Sequence, residues 1–168
     1  MGHRERDRPP ARVGCAVVTV SDSRSPDEDR SGPVIREILA AAGHPVLAAR
    51  LVPDDRDAIA GALRELAAVP EIAAVLITGG TGIAERDVTV ECLAGLWDKE
   101  LPGFGELFRA LSFAEVGAAS MLSRATAGVI AGVFVAALPG SPKACRLALE
   151  RLIVPELGHI AGLLGRGA

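Results

Sequence analysis

A short apolar run that empties into a glycine loop sets the tightest limit on how this chain can fold. Ile72-Ala73-Ala74-Val75-Leu76 passes directly into Ile77-Thr78-Gly79-Gly80-Thr81-Gly82, and Arg86-Asp87 follows a few residues on. That order reads as a buried strand entering a tight turn almost free of side chains. Backbone N–H groups in such a loop can approach an anion closely, as phosphate sites require. Thr78 and Thr81 add hydroxyl donors, and Asp87 is placed to hold a divalent cation. A phosphate-bearing ligand is therefore the first expectation. The loop is not a Walker loop, because no Gly-Lys-Ser or Gly-Lys-Thr follows. It also lacks the G-x-G-x-x-G spacing of dinucleotide folds.

The rest of the chain supplies a frame for that loop. Arg12 to Val20 is apolar and β-branched and reads as a first strand. Ser21 to Arg30 is polar and turn-rich, with Asp27-Glu28-Asp29-Arg30 as a solvated charged turn. Ser31 is expected to cap a helix that has Pro33 in its first turn and stops at Gly43. Val46 to Val52 reads as a strand, and Asp55 to Ala68 as a helix with Ile59, Leu63, Leu66 and Ala67 at helical spacing. Val90 to Trp97 suggests another helix. Pro102-Gly103-Phe104-Gly105 is expected to break the chain before a shorter helix near Glu106 to Leu111. Ala125 to Leu138 reads as a hairpin-like pair of strands around Gly132, and Lys143 to Leu164 as helical with an interruption at Pro155. Strands alternating with helices predict a parallel α/β sheet with helices on both faces. Ligands of such sheets bind beyond the carboxyl ends of the strands.

Bulk properties narrow the class further. The chain has 168 residues, enough for one domain with a real core. The expected organisation is a loose tail at 1–11 and one domain at 12–165. No apolar run is long enough to suggest a membrane span. A net charge of -3 and an aromatic content of 3% give no sign of a nucleic-acid surface. Cys15, Cys92 and Cys145 are isolated, as are His3, His44 and His159, so neither a disulfide framework nor a zinc site is expected. Reduced, buried thiols in a cytoplasmic protein are the plain reading.

Four loops should meet at the carboxyl edge: Ser21 to Ser31, Pro53-Asp54, Gly79 to Asp87, and Pro139-Gly140-Ser141-Pro142. Asp54 and Asp55 are either a helix cap with a first-turn acid or, for Asp54, a carboxylate facing Asp87. Two such acids can share Mg²⁺. Pro139 to Pro142 and Ser31-Gly32 open helices, and the same geometry aims free N–H groups at an anion. Ser123-Arg124 is a surface pair or a phosphate contact.

Taken together, these segments resemble the MoaB/MogA family of molybdenum-cofactor biosynthesis proteins. The matching pieces include Thr19-Val20-Ser21-Asp22, Asp29-Arg30-Ser31-Gly32, Val52-Pro53-Asp54 and Thr78 to Gly82. Arg86-Asp87-Val88-Thr89, Pro102 to Glu106, Leu122-Ser123-Arg124 and Leu138 to Ala144 complete the set. The stretch Leu111 to Gly117 is closest to the MoaB branch. Where many members have Pro-Glu after the Arg-Asp motif and its two following residues, this chain has Val90-Glu91.

The resemblance implies a single-domain three-layer α/β/α sandwich with a mostly parallel central sheet. It further implies molybdopterin as substrate, ATP as co-substrate and Mg²⁺ as cofactor. The implied reaction is transfer of AMP to the terminal phosphate of molybdopterin with release of pyrophosphate. Asp54 and Asp87 fall on the two family acids and are the expected catalytic and Mg²⁺-binding residues. Binding is expected at Ser21, Asp22, Ser31, Gly32, Thr78, Gly79, Gly80, Thr81, Gly82, Ser123, Arg124, Pro139, Gly140 and Ser141. A homotrimer, or a hexamer, is implied, working with other enzymes of the pathway and without nucleic acid or membrane. Ala144 to Leu164 is a candidate for the subunit interface. The alternative is a non-catalytic protein that binds molybdopterin or a nucleotide in the same pathway.

Overall fold

The chain forms strands and helices in the order β1 (Cys15–Val20), α1 (Ser31–Ala41), β2 (Val46–Val52), α2 (Arg56–Ala67), β3 (Ala74–Thr78) and α3 (Thr89–Ala94). β4 (Lys99–Glu100), α4 (Pro102–Val116), a 3-10 turn (Gly117–Leu122), β5 (Thr126–Ile130) and β6 (Val133–Leu138) follow. α5 (Pro142–Ala148), a π turn (Leu149–Ile153) and α6 (Val154–Leu163) close the sequence of elements. These coordinates are a computed structural model that describes residues 12–22 and 28–166. The expected tail at 1–11 and part of the first loop lie outside the described residues.

Six strands make one sheet in the order β2-β1-β3-β6-β5-β4. The first four in that order run parallel, and β5 and β4 turn antiparallel at one edge. Every residue of β1, β3 and β6 is buried, as expected for strands covered on both faces. Their side chains alternate between two cores. Val17 and Leu76 face α1, α4, α5 and α6 through Ile35, Leu39, Phe108, Ala148 and Leu157. Val18 and Ile77 face α2 and α3 through Ile59, Leu63, Leu66 and Leu93. The result is the expected three-layer sandwich with a mostly parallel sheet.

Register then decides where the site lies. Thr19 pairs with Thr78, Thr78 with Leu138, and Val20 with Val52. The four parallel strands therefore end level with one another. The loops after β1, β2, β3 and β6 leave from one edge.

Several local expectations need correction. Ser31 does not cap α1. The Asp29 carboxylate does, accepting the Ser31 N–H at 3.1 Å and the Gly32 N–H at 2.9 Å. It also accepts the Thr19 hydroxyl at 2.7 Å, so Asp29 is not a solvated turn residue. Pro102 to Gly105 does not break the chain but opens α4, because proline is tolerated in a first helical turn. Gly105 is buried there, where a Cβ would stand 2.8 Å from the Ala125 carbonyl. Pro155 likewise sits in the first turn of α6, and the interruption is the π turn just before it. The short strand β4 has no apolar signature and escapes sequence reading.

The hairpin of β5 and β6 turns at Ala131 and Gly132, with φ of 51° and 72°. Two left-handed residues match the twist of tight hairpins. One face of Ala144 to Leu164 is core, where Cys145, Ala148, Leu149, Ile153, Leu157 and Ala161 are buried. The three cysteines are buried and unpaired, and burial pushes the Cys15 thiol up to about 12 and Cys145 to about 11.

Candidate functional site

The loop after β3 owes its shape to two glycines. Gly79 and Gly80 have φ of 104° and 65°, a region that glycine enters without strain. A Cβ on Gly79 would collide with the Val20 carbonyl, and one on Gly80 with the Thr89 hydroxyl. The loop is pinned from behind. The Gly79 N–H donates to the Leu138 carbonyl at 3.0 Å, and the Thr89 hydroxyl to the Gly79 carbonyl at 3.0 Å. The Thr89 N–H reaches the Gly80 carbonyl at 3.1 Å. The amides of Gly80, Thr81 and Gly82 meet no acceptor among the described residues. Successive unpaired amides of this kind are the groups from which anion-binding concavities are built.

Three carboxylates face the same space. The Asp54 Oδ1 accepts the Val88 N–H at 3.1 Å and would stand 2.7 Å from a Cβ on Gly80. Asp22 accepts the Asp54 N–H at 2.7 Å, which ties the loop after β1 to the loop after β2. Asp87 accepts the Ala84 N–H at 3.1 Å and so closes its own turn. Burial raises the Asp54 pKa, and the charges of Asp87 and Asp22 raise it further. The Val88 N–H and Arg86 pull the other way.

Asp54 thus belongs to a group of acids short of positive charge. No three His, Cys, Asp or Glu side chains among the described residues stand close enough to enclose a metal by themselves. Mg²⁺ needs no such cage, because it takes one or two carboxylates and completes its shell with phosphate oxygens and water. The oxygen-only donor set of Asp54 and Asp87 fits that habit.

The resulting cleft has a volume of about 440 Å³. Of the residues expected from sequence, it brings together Ser21, Asp22, Asp54, Gly79, Gly80, Thr81, Gly82, Asp87, Ser123, Pro139, Gly140 and Ser141. Four others lie elsewhere. Ser31 and Gly32 are buried against Asp29. Thr78 is buried beneath the last loop and donates to the Pro139 carbonyl at 2.9 Å. Arg124 spends its guanidinium on the glycine loop and on Glu91, which it holds below the usual carboxylate range.

Arg86 and Leu122 also line the cleft and were not singled out from sequence, although both stand inside the motifs quoted above. Ser141 caps α5 by accepting the Ala144 N–H at 3.4 Å. The Pro-Gly-Ser loop therefore opens a helix, as expected. α3 forms without the proline common at position 90.

Comparison with known proteins places this geometry in a family. Residues 16–159 match a family model described as "Probable molybdopterin binding domain". The chain is 48% identical over 156 residues to molybdenum cofactor biosynthesis protein B of Halalkalibacterium halodurans, covering 92% of each. It is 45% identical over 159 residues to a protein of Methanocaldococcus jannaschii named "Probable molybdopterin adenylyltransferase", covering 90% of this chain and 94% of that one. A crystal structure of a molybdenum cofactor biosynthesis protein B superposes with a TM-score of 0.91 at 46% identity, covering 95% of this chain and 99% of that one.

Proposed function

Because this chain belongs to the family of the probable molybdopterin-binding domain, we propose that it is a molybdopterin adenylyltransferase. It binds molybdopterin in the cleft and transfers AMP from Mg-ATP to its terminal phosphate. A phosphate oxygen attacks the α-phosphorus of ATP, the bond to the β-phosphate bridging oxygen breaks, and pyrophosphate leaves. The observation that carries this reading is the meeting of Asp54 and Asp87 with the bare amides of Gly80 to Gly82.

The acceptor phosphate is already a nucleophile, so the site needs no strong base. What it must overcome is repulsion between anions and misalignment of the attack. The Gly80 to Gly82 amides offset negative charge at fixed positions, at no cost in reorganisation. Ser123 and Ser141 offer hydroxyl donors from two other loops, and Ser21 lines the cleft beside them. Asp87 is assigned mainly to Mg²⁺, and Asp54 to Mg²⁺ or to orienting the acceptor phosphate. When bound, Mg²⁺ supplies charge neutralisation on the polyphosphate.

The protein acts as a homotrimer or a hexamer alongside other enzymes of the pathway, in the cytoplasm. Support for assembly comes from α4 and the turn after it, where Phe113 is 61% and Met121 76% exposed beside exposed Leu107 and Val116. Support for a reducing compartment comes from three unpaired thiols. No helix among the described residues is long and apolar enough to cross a membrane.

The test is incubation with Mg-ATP and molybdopterin made in situ. Adenylylated molybdopterin is sought by mass spectrometry and pyrophosphate by coupled assay. Formation of both, in equal amounts, is the expected result. Molybdopterin binding without either product overturns the transferase reading in favour of a binding protein.

A further inference from the structure

The segment that carries Asp87 has little to rest on. Ile83, Ala84, Glu85 and Arg86 are all exposed, and Ile83 is 71% so. The cleft lies on one side of this segment. On the other is a second hollow of about 320 Å³, lined by Arg56, Ile83, Glu85, Glu91 and Arg124, and it shares Asp87 with the cleft. A thin wall with solvent on both faces gains no support from a hydrophobic core.

Beyond the turn that Asp87 closes on Ala84 and the Val88 N–H that Asp54 accepts, the support it has comes from one guanidinium. Arg124 Nε donates to the Gly82 carbonyl at 2.8 Å, and Nη2 donates to the Asp87 carbonyl at 3.1 Å. The two ends of the wall are thus held by one rigid fork. Nη1 and Nη2 also bond both oxygens of Glu91, in the first turn of α3. The Arg124 N–H donates to the Thr81 carbonyl at 3.2 Å. Leu122 and Ser123, which also line the cleft, immediately precede this arginine. One side chain therefore joins the glycine loop, the Asp87 backbone and α3.

We infer that Arg124 and Glu91 are a positioning pair that sets the place of Asp87. This rests on the adenylyl-transfer reading for its consequence in turnover, but not for its consequence in loop order. Glu91 aims the guanidinium and offsets its charge, so the fork reaches carbonyls instead of competing for substrate phosphate. Arginine is required because a lysine ammonium cannot span Gly82, Asp87 and Glu91 at once.

Two measurements on the full-length protein test the pair. In steady-state pyrophosphate release, Arg124→Ala lowers kcat by ~10–100-fold, the usual scale for residues that orient a metal-binding group. It also raises the Mg²⁺ concentration needed for half-maximal rate, while molybdopterin binding is kept. Added guanidinium restores part of the rate. Arg124→Lys falls short of wild type, and Glu91→Gln loses less than Arg124→Ala. Unchanged kcat and Mg²⁺ dependence, or a loss that guanidinium does not restore, overturns the inference.

In amide hydrogen exchange of the ligand-free protein, residues 84–88 exchange faster in Arg124→Ala and Glu91→Gln, while β1 and β3 do not. Equal protection in wild type and variants also overturns it. If wild type releases no pyrophosphate, the transferase reading fails and the exchange result still decides the pair. Should Arg124→Ala not fold, Glu91→Gln gives the same readings with the arginine in place.

Discussion

Arg124 and Arg166 do the same chemistry at opposite edges of one sheet. At the carboxyl edge, Arg124 holds the Gly82 and Asp87 carbonyls. At the amino edge, Arg166 donates to the Ile72 carbonyl at 3.0 Å and the Ala131 carbonyl at 3.2 Å, with longer contacts to Ala67 and Val69. Each guanidinium collects carbonyls that no strand or helix satisfies. They differ in what the gripped backbone carries. Arg166 joins the end of α2, the entry to β3 and the hairpin turn, all of them scaffold. Arg124 joins a wall whose own side chains are exposed and whose last residue is a site acid. The same contact therefore serves stability at one edge and alignment at the other.

The two edges should respond differently to substitution, and the largest effect belongs to the acids. Asp87→Asn and Asp54→Asn should each cut turnover by ~100-fold or more, the scale of losing a group that stabilises developing charge. Stability should not follow. Burial and two neighbouring acids raise the Asp54 pKa, so the folded protein holds that proton more tightly than the unfolded chain. The contribution of Asp54 to stability is thus greatest in acid and is lost as pH rises through its folded pKa. At neutral pH Asp54→Asn, which keeps an acceptor for the Val88 N–H, should melt at the wild-type temperature or above. A clear fall in melting temperature would place Asp54 in the scaffold.

Gly80→Ala comes next and should harm both properties. A left-handed alanine costs about 1–2 kcal/mol, and its Cβ pushes on Thr89 and Asp54. Thermal melting together with pyrophosphate release checks both losses. An active, stable Gly80→Ala would mean the loop is not held as described. Arg166→Ala should lower stability by about 1.5–3 kcal/mol, the range for hydrogen bonds from a charged donor, with kcat unchanged. A fall in kcat at matched folded fraction would erase the contrast with Arg124.

The smallest effect sits at the amino edge, where the Val13 N–H donates to Nδ1 of buried His44 at 3.2 Å. Burial lowers the His44 pKa, so the unfolded chain takes up its proton before the folded protein does. The stability given by neutral His44 is present above the ordinary imidazole value of 6.5. It is lost as pH falls from there through the lowered folded pKa. Melting temperatures of wild type and His44→Gln should therefore converge on acidification, with turnover at neutral pH indifferent to the change. Parallel curves would show that His44 does not titrate on unfolding.

Some of this was legible in the chain and some was not, for physical reasons. β1, β3 and β6 announce themselves as apolar runs because both of their faces are buried. Gly79 and Gly80 mark the site because only glycine takes their backbone angles cheaply. The sequence leaves Asp54 between a helix cap and a site acid, and the structure gives the cap to Asp55, which accepts the Ala58 N–H at 2.9 Å.

Asp29 was hidden because a carboxylate among charged neighbours looks solvated whether or not it caps a helix. α4 was misread at its start because proline and glycine break helices in the middle but not in the first turn. Arg124 was hardest. Its partners Gly82 and Asp87 lie 42 and 37 residues back, and a contact to a carbonyl leaves no trace in the identity of the residue that owns it.

Pyrophosphate release from Mg-ATP tests the central claim most directly when wild type and Asp54→Asn are run side by side with molybdopterin made in situ. Release by wild type that requires molybdopterin, and that collapses in an Asp54→Asn protein melting no lower than wild type, is the predicted result. Equal release from the two proteins, or release by wild type without molybdopterin, would contradict it.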